Sequence, residues 1–301
     1  MKNILITGGA GFVGSQVVKE LAKKGKNTIV LDNFSVGLKT SIEKTATKIY
    51  EGNILDTQLV NTIITDNKVE AVIHLAALHY IPYCNEHVDE VMNTNVNGTS
   101  SILSATKGTG VKRFLFASSA AVYKPKLGPH IEEDTVEPVD IYGASKKMGE
   151  DLIKSFCKIY GIDFTIMRLF NVCGRGDLTP HLIPEIIKQA KTCDTVTLGN
   201  LDTKRDYIRK EDVACAFVTA LANKNSFNET FNVGTGKSIS VSDVFDMLNK
   251  SSQNKFKLKT VSFKKRKNDR KDLVANSDKL KTKLNWKVRH DLSEYISKSL
   301  H

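Results

Sequence analysis

Several features are scarce in this 301-residue chain, and each scarcity closes off a class of protein. Cysteine occurs five times, as Cys84, Cys157, Cys173, Cys193 and Cys215. None stands in a C-x-x-C pair or has a histidine at ligand spacing, so no structural zinc, and no metal of any kind, is expected. An odd count without an export signal reads as free thiols in a reducing compartment. Proline occurs only six times, and no Pro/Gly-rich linker, repeat or low-complexity tract divides the chain. No apolar run approaches the roughly 20 residues of a membrane span. The opening Met1–Ile6 runs straight into a strand-like segment and a glycine turn, so a cytoplasmic location is expected and no membrane partner. Acidic residues are outnumbered, 33 against 44 Lys and Arg, for a net charge of +11. Nucleic-acid binding would use such an excess, but the lysines are mostly dispersed. The densest run, Lys264–Lys267 with Arg270 and Lys271 behind it, carries no interleaved aromatic residues to stack on bases. A lysine-rich surface is the plainer reading, with no nucleic-acid partner. A basic cleft would also attract a small anion such as a nucleotide diphosphate.

What is present is ordinary bulk with a distinct rhythm. Hydrophobic residues make up 41% and charged residues 26%, enough to build one large domain, or one with a smaller lobe. Apolar runs at Asn3–Thr7, Thr28–Leu31, Ala71–Leu75, Arg113–Ala117 and Asp163–Leu169 predict strands. Amphipathic stretches such as Gly14–Lys24 and Asp89–Lys107 predict helices between them. Continuous apolar strands alternating with helices indicate an α/β fold with a doubly wound parallel sheet, the Rossmann arrangement. Past Phe170 the rhythm breaks. Lys210–Ala222 and Ser240–Lys250 read as helices, the second with Ser240 as N-cap, and Asn232–Gly236 as a strand end and turn. The expectation is a Rossmann domain over residues 1–170. Residues 171–301 then form mainly a smaller α/β substrate-binding lobe, with some segments returning to the first domain.

Gly9-Ala10-Gly11-Phe12-Val13-Gly14 satisfies G-x-G-x-x-G directly after a predicted strand and at the start of a predicted helix. That context fits a dinucleotide loop, with Gly8, Gly11 and Gly14 permitting a tight turn and close approach of a pyrophosphate to a helix N-terminus. Asp32 ends the next strand, where a carboxylate accepts hydrogen bonds from a ribose 2′-OH and repels a 2′-phosphate. Asn33, Phe34 and Ser35 supply no cation to hold that phosphate, so NAD is expected rather than NADP. Further on, Tyr142 and Lys146 stand one helical turn apart, with Ser118-Ser119 upstream. Behind a dinucleotide fingerprint, such a set suggests redox chemistry on an alcohol.

These residues, with His74-Leu75-Ala76-Ala77, Asn95–Thr99, Ser118–Tyr123, Tyr142–Lys146, Arg168–Val172, Arg205–Ile208, Asn232–Gly236 and Leu284-Asn285-Trp286, resemble the extended short-chain dehydrogenase/reductases over nearly the whole length. The resemblance is to their NAD-dependent nucleotide-sugar epimerase/dehydratase family. It implies that NAD meets Phe12, Val13, Asp32, Asn33, Ser35, Asn53, Ile54, Leu75, Ala76, Ala77, His79, Asn95 and Phe170. It further implies catalysis by Ser119, Tyr142 and Lys146, the last two also facing the cofactor. A nucleotide-sugar would meet Ser119, Tyr142, Asn171, His181, Leu198, Arg205, Arg266 and Asp269. Many relatives are homodimers, so a homodimer is expected.

The resemblance leaves the reaction to be read from the differences. A tyrosine has an ordinary pKa near 10, and a nearby Lys⁺ and the NAD⁺ ring charge are expected to lower it so that Tyr142 serves as base and then acid. Ser119 would align the sugar oxygen. The family's 4,6-dehydratases carry an Asp-Glu pair just after the active-site Ser/Thr, whereas here stand Ala120-Ala121, which transfer no proton. The expected activity is therefore a nucleotide-sugar 4-epimerase of the UDP-sugar type, working through a transient 4-keto sugar. Alternatives are a 4-keto reductase or net dehydrogenase, a GDP- or dTDP-sugar 4,6-dehydratase, or a non-enzymatic dinucleotide sensor or scaffold. Leu198 stands where UDP-sugar epimerases often have a Phe against the uracil, and Leu198–Asp202 resembles a phrase of GDP-mannose dehydratases, so GDP is a second option for the base. His79 and His181 replace a frequent Lys and Asn. Leu273 aligns with a position that gates the sugar pocket. His79, Cys84 and His87 read as a loop lining the cofactor cleft.

Overall fold

The structure is a computed structural model that describes residues 1–253, 255–261 and 270–300. Arg266 and Asp269 lie outside the described residues. The chain forms strands β1 (Asn3–Thr7), β2 (Asn27–Asp32), β3 (Lys48–Glu51), β4 (Ala71–His74), β5 (Arg113–Ser119), β6 (Pro129–His130), β7 (Asp163–Leu169), β8 (Asn171–Cys173), β9 (Thr195–Leu198), β10 (Lys204–Arg205), β11 (Tyr207–Arg209), β12 (Glu229–Val233), β13 (Ile239–Ser240), β14 (Lys257–Thr260) and β15 (Asp272–Ala275). The α-helices are α1 (Phe12–Lys23), α2 (Thr57–Asp66), α3 (Ile81–Glu86), α4 (Val88–Val91), α5 (Gly98–Thr106), α6 (Ile141–Tyr160), α7 (Leu182–Thr192), α8 (Lys210–Ala222), α9 (Val241–Ser251), α10 (Asp278–Leu284) and α11 (Leu292–Leu300).

Seven strands make one parallel sheet in the order β12-β7-β5-β4-β1-β2-β3. Successive strand residues face opposite sides, so both faces must be apolar and the strands read as continuous hydrophobic runs. In β1, Ile4 and Ile6 join the core beneath α1 and α8, while Leu5 joins the core beneath α2, α5 and α6. The order reverses between β1 and β4, and the crevice outside the strand ends at such a reversal is where open α/β sheets bind ligands.

The structure departs from the sequence expectation in two places. Strand β3 was not expected, because its half-exposed Lys-Ile-Tyr-Glu pattern gives no apolar run. The stretch 89–107 is not one helix. It is α4, a π-helical turn over Met92–Asn97, then α5. Beyond residue 170, β12 pairs with β7 at the sheet edge, and α8 packs against α1, so the main sheet draws on both parts of the chain. Ser240 caps α9 as expected, in a full capping box with Asp243.

The smaller lobe has its own apolar core, where α7, α9 and α11 pack with β9 and Phe256. A four-stranded sheet, β13-β10-β15-β6, joins this lobe to the region after β5. Its hub is Asp206, which is 0% exposed. It accepts hydrogen bonds from Thr235 N and Oγ1 (2.8 and 2.6 Å), Gly236 N (2.8 Å) and Ala275 N (3.1 Å). The Arg-Asp-Tyr-Ile segment thus fixes a turn and a strand with one buried carboxylate. Among the described residues no helix is long and apolar enough to cross a membrane.

Candidate active site

The glycine loop joins β1 to α1 at the reversal point. Gly8 has φ +69°, and a Cβ there would lie 2.6 Å from Ala76 N, so the loop and the segment after β4 meet backbone to backbone. A Cβ on Gly14 would lie 2.1 Å from Gly8 O, which only glycine permits. Gly11 caps α1 without a side-chain acceptor, leaving the first-turn N–H groups of the helix to face an anion. Asp32 is 7% exposed and holds the loop from the side: its Oδ2 accepts from Ala10 N (2.8 Å) and its Oδ1 from Phe34 N (2.9 Å). Each oxygen keeps a lone pair for a hydroxyl. Loop, helix start and carboxylate together fit a dinucleotide: Gly8–Gly14 for the pyrophosphate and Asp32 for the adenosine ribose.

Other residues expected at the cofactor make local contacts in the fold. Asn33 Oδ1 accepts from Ser35 N (3.2 Å) and Ser35 Oγ (2.8 Å), shaping the turn after β2. Asn53 Oδ1 accepts from Leu55 N (3.0 Å), and Ile54 is buried against Gly98. Leu75, Ala76 and Ala77 run out from the end of β4. Phe170 is buried beyond β7, beside Leu273 and Ala120.

A buried polar chain connects these parts. Thr99 Oγ1 donates to Asn95 O (2.6 Å), so His74 Nε2–H donates to Thr99 (3.0 Å) and His74 Nδ1 accepts from Thr7 Oγ1 (2.6 Å). That fixes one neutral tautomer, and burial, with the Lys146 charge adding, pushes the imidazole down to about 3. Asn95 then grips Leu78: its Oδ1 accepts from Leu78 N and its Nδ2 donates to Leu78 O, both at 2.9 Å. It also donates to Ser145 Oγ (2.9 Å), which donates to Tyr142 O (2.8 Å). The side-chain amide of Asn95 is thus engaged in bracing the π-helical turn against α6. Sequence reasoning missed this role, although the polar residues Thr7 and Thr99 beside apolar runs were a signal.

The candidate catalytic residues stand at the end of β5 and on α6. Ser119 Oγ accepts from Ala121 N (3.1 Å) and opens the turn Ala120–Val122. Asp140 caps α6 through Gly143 N (2.7 Å), which starts the helix so that Tyr142 lies in its first turn and Lys146 in the next. The turn that Ser119 opens packs against α6, the helix that carries Tyr142. Lys146 Nζ lies 5.9 Å from the Tyr142 ring centre and 4.8 Å over the Phe116 ring.

The expected lowering of the Tyr142 pKa is not supplied by the protein alone. Tyr142 is half-buried as a residue, but burial of its phenol is the leading influence and pushes it well above 10, with the neighbouring Ser119 hydroxyl pulling the other way. Lys146 is 3% exposed, and burial takes it down to about 7, against smaller upward pulls from Cys84 and Glu150. Behind Ser119, the buried pair Glu150–Arg168 (2.7 Å) also receives Ser118 Oγ at 2.6 Å, and Arg168 reaches Tyr123 OH at 3.0 Å.

The lobe contributes the rest. Asn171 follows β7, with its N–H donating to Asp206 O (3.0 Å). His181 leads into α7, its Nδ1 paired with Asp177 at 2.9 Å, and its ring stands 5.7 Å from that of His79. His79 therefore bridges the cofactor side and the lobe. Arg205 donates to the carbonyls of Lys204 (2.8 Å) and Arg270 (2.7 Å). Leu198 differs from its expected place: it is 3% exposed within the apolar core of the lobe, where it offers little surface to a nucleotide base.

The family model for the NAD dependent epimerase/dehydratase family matches residues 4–234. A UDP-glucose 4-epimerase of Lactobacillus helveticus is 35% identical over 308 aligned positions, covering 96% of this chain and 92% of that protein. The solved structure of a UDP-glucose 4-epimerase from Thermotoga maritima with UDP-glucose superposes with a TM-score of 0.92 at 30% identity, covering 99% of this chain and 97% of the other. A UDP-N-acetylglucosamine 4-epimerase from Methanobrevibacter ruminantium, with UDP-N-acetylmuramic acid, gives 0.90 at 26% identity over 99% and 97%. With a glycine loop, a ribose carboxylate and a Ser-Tyr-Lys set on one doubly wound sheet, this chain belongs to the NAD dependent epimerase/dehydratase family.

Proposed function

We propose that this protein is an NAD-dependent nucleotide-sugar 4-epimerase acting on UDP-sugars. The observation that carries the reading is Ser119 at the end of β5 beside the α6 helix that bears Tyr142 and Lys146, with Ala120-Ala121 following Ser119 and offering no group for dehydration. When bound, NAD takes up a hydride from the sugar and returns it. Tyr142 accepts the proton of the sugar 4-OH during oxidation and gives it back on re-reduction. Ser119 donates a hydrogen bond to the oxygen at C4. Lys146, buried beside Tyr142, supplies positive charge that favours the phenolate. The 4-keto sugar presents its other face before re-reduction, and the C4 epimer leaves with no net redox change. Asn171, His181 and Arg205 are proposed to hold the nucleotide diphosphate, with Arg266 and Asp269 as further partners.

The activities of the relatives support UDP as the nucleotide. Leu273, smaller than tyrosine at the position that gates the sugar, favours acceptance of an N-acetyl group. The exposed apolar residues Met148, Ile159 and Tyr160 on α6 support a homodimer through that helix, and sedimentation as a monomer at working concentration would count against it. The functional test is incubation of pure protein with UDP-galactose, UDP-N-acetylgalactosamine and GDP-mannose while NADH is monitored. Epimerisation of a UDP-sugar without NADH accumulation is expected. Steady NADH production, or turnover of GDP-mannose alone, would contradict the proposal.

A further inference from the structure

The turn that carries Ser119 has no polar side chain of its own beyond it. Ala120, Ala121 and Val122 are buried; Ala120 O accepts from Tyr123 N (3.2 Å), and the carbonyls of Ala121 and Tyr123 need donors. One guanidinium supplies them. Arg270 arrives at the start of β15 with its side chain 8% exposed. Its Nη2 donates to Ala121 O (2.8 Å), and its Nη1 donates to Tyr123 O (3.0 Å) and Ala120 O (3.4 Å). The same Nη2 stands 4.0 Å from Asp140 Oδ2, and Asp140 Oδ1 caps the helix of Tyr142. The start of that helix also presses on the turn: a Cβ on Gly143 would lie 2.4 Å from Ala121 O. Finally, the backbone carbonyl of Arg270 accepts from Arg205 (2.7 Å).

We infer that Arg270 is a positioning residue for the reaction, acting from the substrate lobe to set the Ser119 turn and the first turn of the Tyr142 helix relative to each other. This rests on the reading of Ser119 and Tyr142 as the catalytic pair. The planar fork suits the task, since only arginine spreads several donors over adjacent carbonyls while its charge faces a carboxylate. Lysine would keep the charge toward Asp140 but reach fewer carbonyls. Because Arg205 touches substrate in the proposed reading and holds the Arg270 carbonyl, the same contact ties the substrate-facing lobe to the catalytic turn. Displacement of about 1 Å at a reacting group lowers turnover by on the order of 100-fold, so loss of this clamp acts on kcat.

The test compares the NAD-loaded wild type with Arg270→Gln and Arg270→Lys. Expected for Arg270→Gln is a kcat about 10–100-fold lower, with KM and NAD affinity within about 2-fold. Arg270→Lys should recover part of the loss. Hydrogen exchange should show faster exchange in peptides covering 119–124 and 140–146 and no change in the glycine loop. An unchanged kcat in folded Arg270→Gln would overturn the inference. So would a loss of NAD affinity in step with kcat, which marks general damage. If Arg270→Gln fails to fold, Arg270→Lys decides: an unchanged kcat refutes the role. If wild type turns over no nucleotide-sugar, the functional reading has failed instead, and the exchange pattern alone judges the clamp.

Discussion

Tyr142 and Lys146 sit one turn apart on α6, yet burial moves their protons in opposite directions. Without NAD, Tyr142 is a neutral phenol near neutral pH, whereas Lys146, held near 7, is the group that titrates there. Its consequence for stability has a definite sign. Below pH 7 both folded and unfolded chains hold the Lys146 proton, and the folded state bears the full cost of a buried cation. Between pH 7 and the ordinary value near 10.5 the unfolded chain keeps the proton and the folded chain sheds it, so the Lys146 contribution to unfolding free energy rises with pH. Denaturant unfolding across that window should show the rise in wild type and lose that part of it in Lys146→Met. Tyr142→Phe should lower turnover by roughly 10²–10⁴-fold, with NAD binding and melting temperature retained. Retained full turnover would remove Tyr142 as the base. Glu150→Gln leaves Arg168 buried without its carboxylate, and should destabilise the fold by about 3–5 kcal/mol, measurable by the same denaturant series.

At the scale of elements, the β1–loop–α1 unit is built so that backbone touches backbone. Gly14→Ala places a methyl group where Gly8 O stands, so the loop must move. A loss of NAD affinity of at least ~10-fold is expected by titration, with the sheet core intact. This unit was legible in the sequence because its requirements are local: three glycines, an apolar strand before them and an amphipathic helix after. The same holds for α8 and for the Ser240 cap of α9, each set by neighbours within a few residues. The π-helical turn at 92–97 was not legible. It depends on Asn95 reaching Leu78 and Ser145, contacts made across the fold. Strand β3 escaped for a similar reason, since an edge strand with one polar face owes its existence to its neighbour β2. The family resemblance puts Leu198 against the nucleotide base, whereas its place in a buried cluster is set by α7 and α9.

For the whole molecule, the two parts of the chain are interleaved rather than joined end to end. β12 completes the main sheet, α8 covers its face, and Asp206 ties the lobe's small sheet to the turn after β12. In the proposed reading such a frame holds Ser119, Tyr142 and Lys146 against the cofactor crevice, with His181 and Arg205 contributed by the lobe. The candidate catalytic residues were legible because they stand in short motifs; the frame that aims them, including Arg270, was not, because its partners lie more than a hundred residues away in sequence. In the proposed reaction one hydride leaves C4 and returns to C4 within a single site. UDP-galactose carrying deuterium at C4, incubated with the NAD-loaded protein in ordinary water, tests it most directly. The account predicts UDP-glucose with the deuterium still at C4 and no accumulation of reduced cofactor; deuterium lost to solvent, or a sugar left oxidised with reduced cofactor building up, would contradict it.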